Sequence, residues 1–253
     1  MFNSQPSEER RARRPWVVGL LLGLAALLFA GFCALGVWQI ERRAWKLDLI
    51  ERVNARIAAQ PVPAPGPAEW PQITAATDEY RRVSLTGRYL NDRETLVQAV
   101  TERGGGFWVL TPFQTNDQTT VLVNRGFVPP DKHNPSTRAE GQIEGETTVT
   151  GLLRISEPGG GFLRTNDPAA DRWFSRDVAA IAQACGLANV APFFVDARAV
   201  QLPNAPVGGL TVIRFNNTHL VYALTWFGLA LMTLVAAFYL VRDEHRARQA
   251  RSV

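Results

Sequence analysis

Residues 16–38 have the sequence WVVGLLLGLAALLFAGFCALGVW, a run of 23 residues without a charged side chain. A second uncharged run of 22 residues, LVYALTWFGLALMTLVAAFYLV, covers residues 220–241. Because a helix rises about 1.5 Å per residue, either run can cross the roughly 30 Å hydrocarbon core of a membrane. The first run also exceeds the roughly 7–15 apolar residues of a cleaved signal peptide. The sequence therefore predicts two transmembrane helices, 16–38 and 220–241.

The net charge of +4 lies at the two ends of the chain. Residues 1–15 and residues 242–253 each carry a net charge of +2, whereas residues 39–219 carry 19 basic and 19 acidic side chains. Basic segments beside membrane helices favour the cytoplasmic side, so we expect two cytoplasmic tails and an exported, periplasmic domain over 39–219. This charge pattern indicates membrane topology and not nucleic-acid binding. The first tail is short and contains two Glu, unlike a mitochondrial transit peptide, which favours a bacterial cytoplasmic (inner) membrane.

The exported segment changes from helical to strand periodicity along its length. Apolar side chains at helical spacing, from Trp45 to Ile57, predict an amphipathic helix over residues 39–59. Five prolines in residues 60–71 predict an extended spacer. Alternating or β-branched runs then predict strands, at 82–90, 94–100, 107–113, 119–128, 147–155, 192–196 and 210–215.

Turn and helix signals divide this β-rich segment. Glycine triplets at 104–106 and 159–161 predict turns between strands. A short helix is predicted over 177–185, because it starts at an aspartate and is followed by Gly186. The predicted fold class is a membrane protein of the α+β kind, with two transmembrane helices flanking one exported β-rich domain, an antiparallel sheet or a partly closed barrel.

The exported segment has few side chains suited to catalysis or metal binding. Its single cysteine is Cys185, it has no methionine, and its histidines are His133 and His219. Copper sites need soft sulfur ligands, and structural zinc needs four nitrogen or sulfur ligands. The glycine triplets match neither a P-loop nor a dinucleotide motif. We therefore predict that the protein is not an enzyme, although a mechanism based on carboxylates stays open.

His219 is the main candidate for a functional residue. It directly precedes the second apolar run, and Tyr222, Ala223 and Trp226 follow at the spacing of one helix face. A neutral imidazole there can serve as an axial ligand to haem iron, with Ala223 leaving room for a flat ring and the aromatic residues offering a stacking surface. The alternative is an interfacial histidine that pairs with a loop carbonyl, beside aromatic residues that anchor the helix.

Four further residues suggest particular packing. Gly19 and Gly23 form a small-xxx-small pattern that can bring two membrane helices together. Gly126 predicts a bend or bulge inside a strand. Arg125, beside it, is expected either to form a structural ion pair or to face an anionic ligand such as a haem propionate.

Five stretches of the chain carry a family resemblance in a fixed order. They are GVWQIERRAWK at 36–46, RVSLTGRY at 82–89, GFWVLTPF at 106–113, VLVNRGFVP at 121–129 and HLVYALTWF at 219–227. Together they resemble the Surfeit locus protein 1 family, assembly factors of haem-copper cytochrome c oxidase. One departure is Phe127, where the family pattern leads us to expect Trp.

The resemblance implies two membrane helices around an exported β-rich domain, and a role in the maturation of oxidase subunit I. Bacterial members look like carriers of haem a, and the histidine that opens their second helix is the implied iron ligand, here His219. Tyr222, Trp226 and Arg125 are further candidate cofactor-binding residues. The partners implied are subunit I and haem a synthase, with haem a as transient cargo. The alternative is a membrane-anchored scaffold that binds oxidase subunits without contacting haem.

Overall fold

A computed structural model describes residues 13–161, 163–211 and 217–249 of the chain. Most of the strand predicted at 210–215, most of the first tail and the last four residues of the second tail lie outside these residues. The helices are α1 (Pro15–Ala58), α2 (Ala75–Asp78), α3 (Val178–Ala184) and α4 (His219–Gln249). The strands are β1 (Val62–Pro63), β2 (Arg82–Tyr89), β3 (Thr95–Thr101), β4 (Gly104–Thr115), β5 (Thr120–Val128), β6 (Thr147–Ile155), β7 (Gly160–Gly161), β8 (Arg164–Thr165) and β9 (Val190–Ala197).

The chain divides into two compact units. The first combines residues 1–50 with residues 215–253, and the second comprises residues 51–214. The first unit is therefore made of α4 and most of α1, whereas the second contains the whole sheet.

Helices α1 and α4 are 44 and 31 residues long. Both are long and apolar enough to cross a membrane. The prediction of two long apolar helices that flank a β-rich domain is therefore confirmed. Helix α1 continues without a break from the apolar run into residues 39–58, and it ends three residues before Pro61, which cannot extend a helix.

The described residues of the second unit form a seven-stranded sheet with the order β1-β2-β6-β9-β5-β4-β3. The end of β4, residues 113–115, also pairs with residues 87–89 of β2, which closes five of the strands into a barrel. A Cβ atom at Gly87 would lie 2.1 Å from the Gln114 carbonyl oxygen, so this closure requires a glycine. The prediction of a partly closed barrel is confirmed, with antiparallel pairing except at β1–β2 and β5–β9.

The sheet buries apolar side chains on both of its faces. One cluster draws side chains from all five strands of the closed part, including Phe113, Val123 and Phe193. A second cluster packs the opposite face of β5 and β9 against α3 and Trp173. Successive side chains of a strand point to opposite faces, so β5 contributes Val123 to the first cluster and Leu122 to the second. This explains why every residue of β5 is buried.

The glycine triplet at 104–106 is not a turn, and that prediction was wrong. These glycines begin β4 and pair with residues 99–101 of β3, so that the turn consists of Glu102 and Arg103. Glycine favours turns through its backbone freedom, but here the register of a hairpin places the triplet inside a strand. At the second triplet, Gly159 and Gly160 have positive φ angles, and Gly160–Gly161 forms β7.

Two local predictions are confirmed at the ends of α3 and inside β5. Asp177 caps α3 by accepting a hydrogen bond from the Ala180 amide, and Gly186 has a φ of +61° beyond the helix. Gly126 has a φ of +132° and lies with Arg125 opposite a single residue of β4, which makes a β-bulge.

The proline-rich segment 60–71 is attached to the second unit. Its residues Val62–Pro63 form β1, which pairs in parallel with Val83 and Ser84 of β2. Trp70 packs against the first apolar cluster, and its indole Nε1 donates a hydrogen bond to the Pro65 carbonyl oxygen at 2.9 Å. The segment therefore covers part of the sheet.

Candidate functional site at the start of helix α4

His219 is the first residue of α4, and it is partly buried. Its ring nitrogen Nδ1 lies 2.7 Å from Oε1 of Gln39 on α1. An amide oxygen can only accept a hydrogen bond, so Nδ1 carries the hydrogen. In the neutral ring the other nitrogen, Nε2, then has an unprotonated lone pair. From this contact we assign His219 to the tautomer whose Nε2 can bind a metal ion.

Close packing of α1 and α4 accompanies this hydrogen bond. Phe32 stacks on Trp226, with ring centroids 5.8 Å apart and an interplanar angle of 24°. A Cβ atom at Gly36 would lie 2.7 Å from the ring of Phe227. Because Gly36 has no side chain, the two helices approach closely one turn before Gln39.

The glycine pattern predicted to bring the helices together is a different one, and that prediction was wrong. A Cβ atom at Gly19 or at Gly23 would have no neighbour within 4 Å in the part of the chain that the structure describes. The small-xxx-small spacing gives the two glycines a common face, but it does not determine whether that face meets another helix. The contact is made at Gly36 instead.

The other residues predicted around His219 have different environments. Trp226 is partly buried on Phe32, whereas Tyr222 is 54% exposed. Ala223 was expected to leave room for a flat ring, but it is 2% exposed, so the space beside its methyl group is already filled. Among the residues that the structure describes, the hydrogen-bond partner of His219 is a side chain of the other long helix and not the loop carbonyl considered as the alternative.

Gln39 is a site residue that the sequence reasoning did not single out. It is 9% exposed and lies 180 residues from its partner. Its position offered one signal, since it is the first polar side chain after an uncharged run and follows Gly36 at the i+3 spacing of one helix face.

Arg125 belongs to the second unit and is held by neutral groups. Its guanidinium donates to Oδ1 of Asn91 at 3.3 Å, to Oε1 of Gln142 at 3.0 Å and to the carbonyl oxygen of Gly141. It also lies over the ring of Tyr89, 4.9 Å from its centroid. Burial lowers the pKa of the Arg125 guanidinium and raises the pKa of the Tyr89 phenol to about 12. These partners are not the carboxylate that an ion pair would supply.

A buried polar cluster around Asp196 was not foreseen from the sequence. Its carboxylate accepts hydrogen bonds from four side chains of the described residues, those of Asn124 (2.7 Å), Arg154 (3.0 Å), Arg176 (3.3 Å) and Thr211 (2.9 Å). Both arginines also bond to other carboxylates, including Glu157. With its lone pairs so occupied, Asp196 holds β5, β6 and β9 together and has little capacity left for a ligand.

Comparison with known proteins places most of the chain in one family. The profile of the SURF1 family matches residues 26–231. Surfeit locus protein 1 of Homo sapiens is 40% identical over 218 residues, which cover 79% of this chain and 70% of that protein. The Xenopus tropicalis protein of the same name is 36% identical over 233 residues (85% and 73%), and that of Takifugu rubripes is 37% identical over 218 residues (79% and 88%). By the extent of these matches, the chain belongs to the SURF1 family.

Proposed function

We propose that this protein is an assembly factor for a haem-copper cytochrome c oxidase, and that it carries haem a to subunit I. Family membership supports the assembly role. The observation that supports the haem proposal is the hydrogen bond between Gln39 and His219, because a hydrogen on Nδ1 leaves the lone pair of Nε2 able to bind iron. The role is non-enzymatic, since the cofactor is held and released without a change in its covalent bonds.

The surroundings of His219 suit an amphiphilic cargo. Trp226 and Phe32 provide aromatic surface near the start of α4, and the exposed ring of Tyr222 can contact a flat macrocycle. A single histidine ligand is enough for axial coordination of haem iron. A carrier must also release its cargo, and the modest stabilisation from one protein ligand meets that need.

We place both long helices in the cytoplasmic membrane of a bacterium, with both termini in the cytoplasm and the sheet-containing unit outside. The basic residues at both ends of the chain support this orientation. In intact spheroplasts, added protease is expected to cleave within residues 51–214 and to spare a tag at the carboxyl terminus. Cleavage of the tag alone would indicate the opposite orientation.

In this proposal the protein receives haem a from haem a synthase and passes it to newly made subunit I. The exchange takes place in or at the membrane, where synthase, carrier and subunit I are all confined. Nucleic acid has no part in the proposed role.

The test is the visible spectrum of the detergent-purified protein from cells that make haem a. We expect a Soret band for the wild type, and its loss or displacement in His219→Ala. His245→Ala is the matched control, since it removes a histidine near the other end of α4 and should leave the spectrum unchanged. An unchanged haem content and Soret position in His219→Ala would refute the ligand assignment.

The same preparation tests the scaffold alternative. A wild-type protein that purifies without haem, yet retains subunit I, would refute haem carriage and favour a scaffold. In that case, exchange of exposed residues of the sheet-containing unit should abolish binding of subunit I, whereas changes at His219 should not.

A further inference from the structure

We infer that Gln39 is a positioning residue, which directs the iron to Nε2 of His219 and makes α1 part of the haem site. This inference rests on the proposed function. The sequence comparisons assign no role to Gln39, and its contact with His219 comes from the structure alone.

The chemistry of the two side chains favours coordination through Nε2 of His219. In a histidine ligand, the nitrogen that does not bind the metal usually donates to an oxygen, and this fixes the tautomer and the direction of the ring. Oε1 of Gln39 is such an acceptor, at 2.7 Å from Nδ1. The same bond hinders coordination through Nδ1, because that nitrogen carries a hydrogen and faces the amide.

Gln39 is held in place by burial and by the packing of the same face of α1. Its side chain is 9% exposed, so water competes little for the amide oxygen. Gly36 lies on the same face of α1, one turn earlier, and permits close contact with Phe227. Phe32 lies on the same face one further turn before Gly36, and it stacks on Trp226. Three successive contacts along α1 therefore determine where the Gln39 amide meets the imidazole.

The neutral amide of Gln39 also affects the strength of His219 as a ligand. A carboxylate in place of the amide would pull the Nδ1 hydrogen more strongly and make Nε2 more basic. A neutral amide orients the ring with less effect on its basicity. Gln39 thus suits a protein that binds haem and then transfers it.

The test begins with the haem-free full-length protein in detergent micelles. With ¹⁵N-labelled histidine, NMR should show His219 protonated at Nδ1 and unprotonated at Nε2 in the wild type. Gln39→Leu keeps a good helix former but removes the acceptor, so we expect a mixture of tautomers. Gln39→Glu restores an oxygen acceptor and should restore the single tautomer. The matched control is Gln249→Leu, since Gln249 is another glutamine beside a histidine, with Nε2 of His245 at 3.0 Å.

The second readout is haem titration of the same variants. Loss of an outer partner of a metal ligand typically weakens binding by about 10- to 100-fold, which we expect for Gln39→Leu and not for Gln249→Leu. In Gln39→Glu we expect bound haem with a lower reduction potential than in the wild type. A merely structural role for Gln39 would leave both the tautomer and the potential unchanged.

The outcomes separate this inference from the proposal on which it rests. An unchanged tautomer in a folded Gln39→Leu protein would overturn the role of Gln39, whether or not the wild type carries haem. A wild type that binds no haem would overturn the proposed function and the iron-directing role together, even where Gln39 still controls the tautomer.

Discussion

The buried ion pair between Arg138 and Glu94 provides the sharpest test of how the second unit is held together. The side chains are 1% and 4% exposed. Nη1 of Arg138 lies 2.9 Å from Oε2 of Glu94, Nη2 bonds to Oε1, and Nε donates to the Lys132 carbonyl oxygen at 3.0 Å. Arg138→Met keeps much of the side-chain volume but leaves the Glu94 carboxylate buried without its counter-charge.

The expected magnitude follows from this burial. Removal of one partner from a buried pair typically costs about 3–5 kcal/mol, whereas replacement of both by apolar residues of similar volume is often close to neutral. For a unit of this size, 1 kcal/mol corresponds to roughly 2–4 °C in Tm. We therefore expect Arg138→Met to lower Tm by roughly 6–20 °C. The double variant Arg138→Met with Glu94→Leu should recover most of that loss.

The assay is thermal unfolding of the full-length protein in detergent, followed by near-ultraviolet circular dichroism. Arg172→Met is the control, since Arg172 pairs with Asp167 on the surface, where the side chains are 63% and 38% exposed, and it should have little effect. The stabilising role of this ion pair is refuted if Arg138→Met lowers Tm no more than Arg172→Met does. It is also refuted if the loss of Tm in the double variant equals the sum of the losses in the two single variants.

Three further changes test other parts of the structure. Gly126→Ala should destabilise the second unit by at least about 1–3 kcal/mol, because φ is +132° and a Cβ atom there would meet backbone atoms at 2.3 Å. Gly105→Ala is the control and should not destabilise the unit, because Gly105 has open space around it and no positive φ. Equal Tm values for the two variants would contradict this expectation. The pKa of the Tyr89 phenol is raised by burial from 10.0 to about 12, so the native state keeps a proton that the unfolded state loses. The contribution of Tyr89 to the free energy of unfolding is thus complete below pH 10 and is lost as the pH rises through about 12. Between these pH values, urea titrations should show a smaller fall in the free energy of unfolding for Tyr89→Phe than for the wild type. Gly36→Leu should separate the helices and lower haem content while Tm of the second unit is retained; a normal Soret band would count against the packing described at Gly36.

Much of the fold follows from periodicity in the sequence. The predicted strand at 147–155 has the bounds of β6, because its alternating pattern and flanking polar residues locate both ends. The start of β4 was missed, since three glycines have no side-chain pattern and only their pairing with β3 assigns them to a strand. Closure of the barrel at Gly87 also depends on contacts between distant residues, which no local pattern reports.

The candidate site was predictable only in part, because it also depends on contacts between residues that are distant in the sequence. His219 stands out because it lies beside an apolar run, and Trp226 lies about 20° from it around an ideal helix. Tyr222 lies about 60° to one side, which helps to explain why its ring is exposed while Trp226 packs on α1. Gln39 required the structure, because its role comes from a hydrogen bond across two helices.

The five stretches that carry the family resemblance divide between the two units, and this division suggests separate roles for them. The three in the sheet contain Gly87, Gly106 and Gly126, and at each one a Cβ atom would lie 2.1–2.3 Å from a backbone atom of a neighbouring segment. These glycines permit close approach of the chain and so act through folding. The other two stretches, 36–46 and 219–227, meet each other through the hydrogen bond of His219 and the packing at Gly36. Substitutions in the three stretches of the sheet should therefore impair function by reducing the amount of folded protein. Substitutions in the stretches 36–46 and 219–227 should instead change the bound cargo in a protein that still folds.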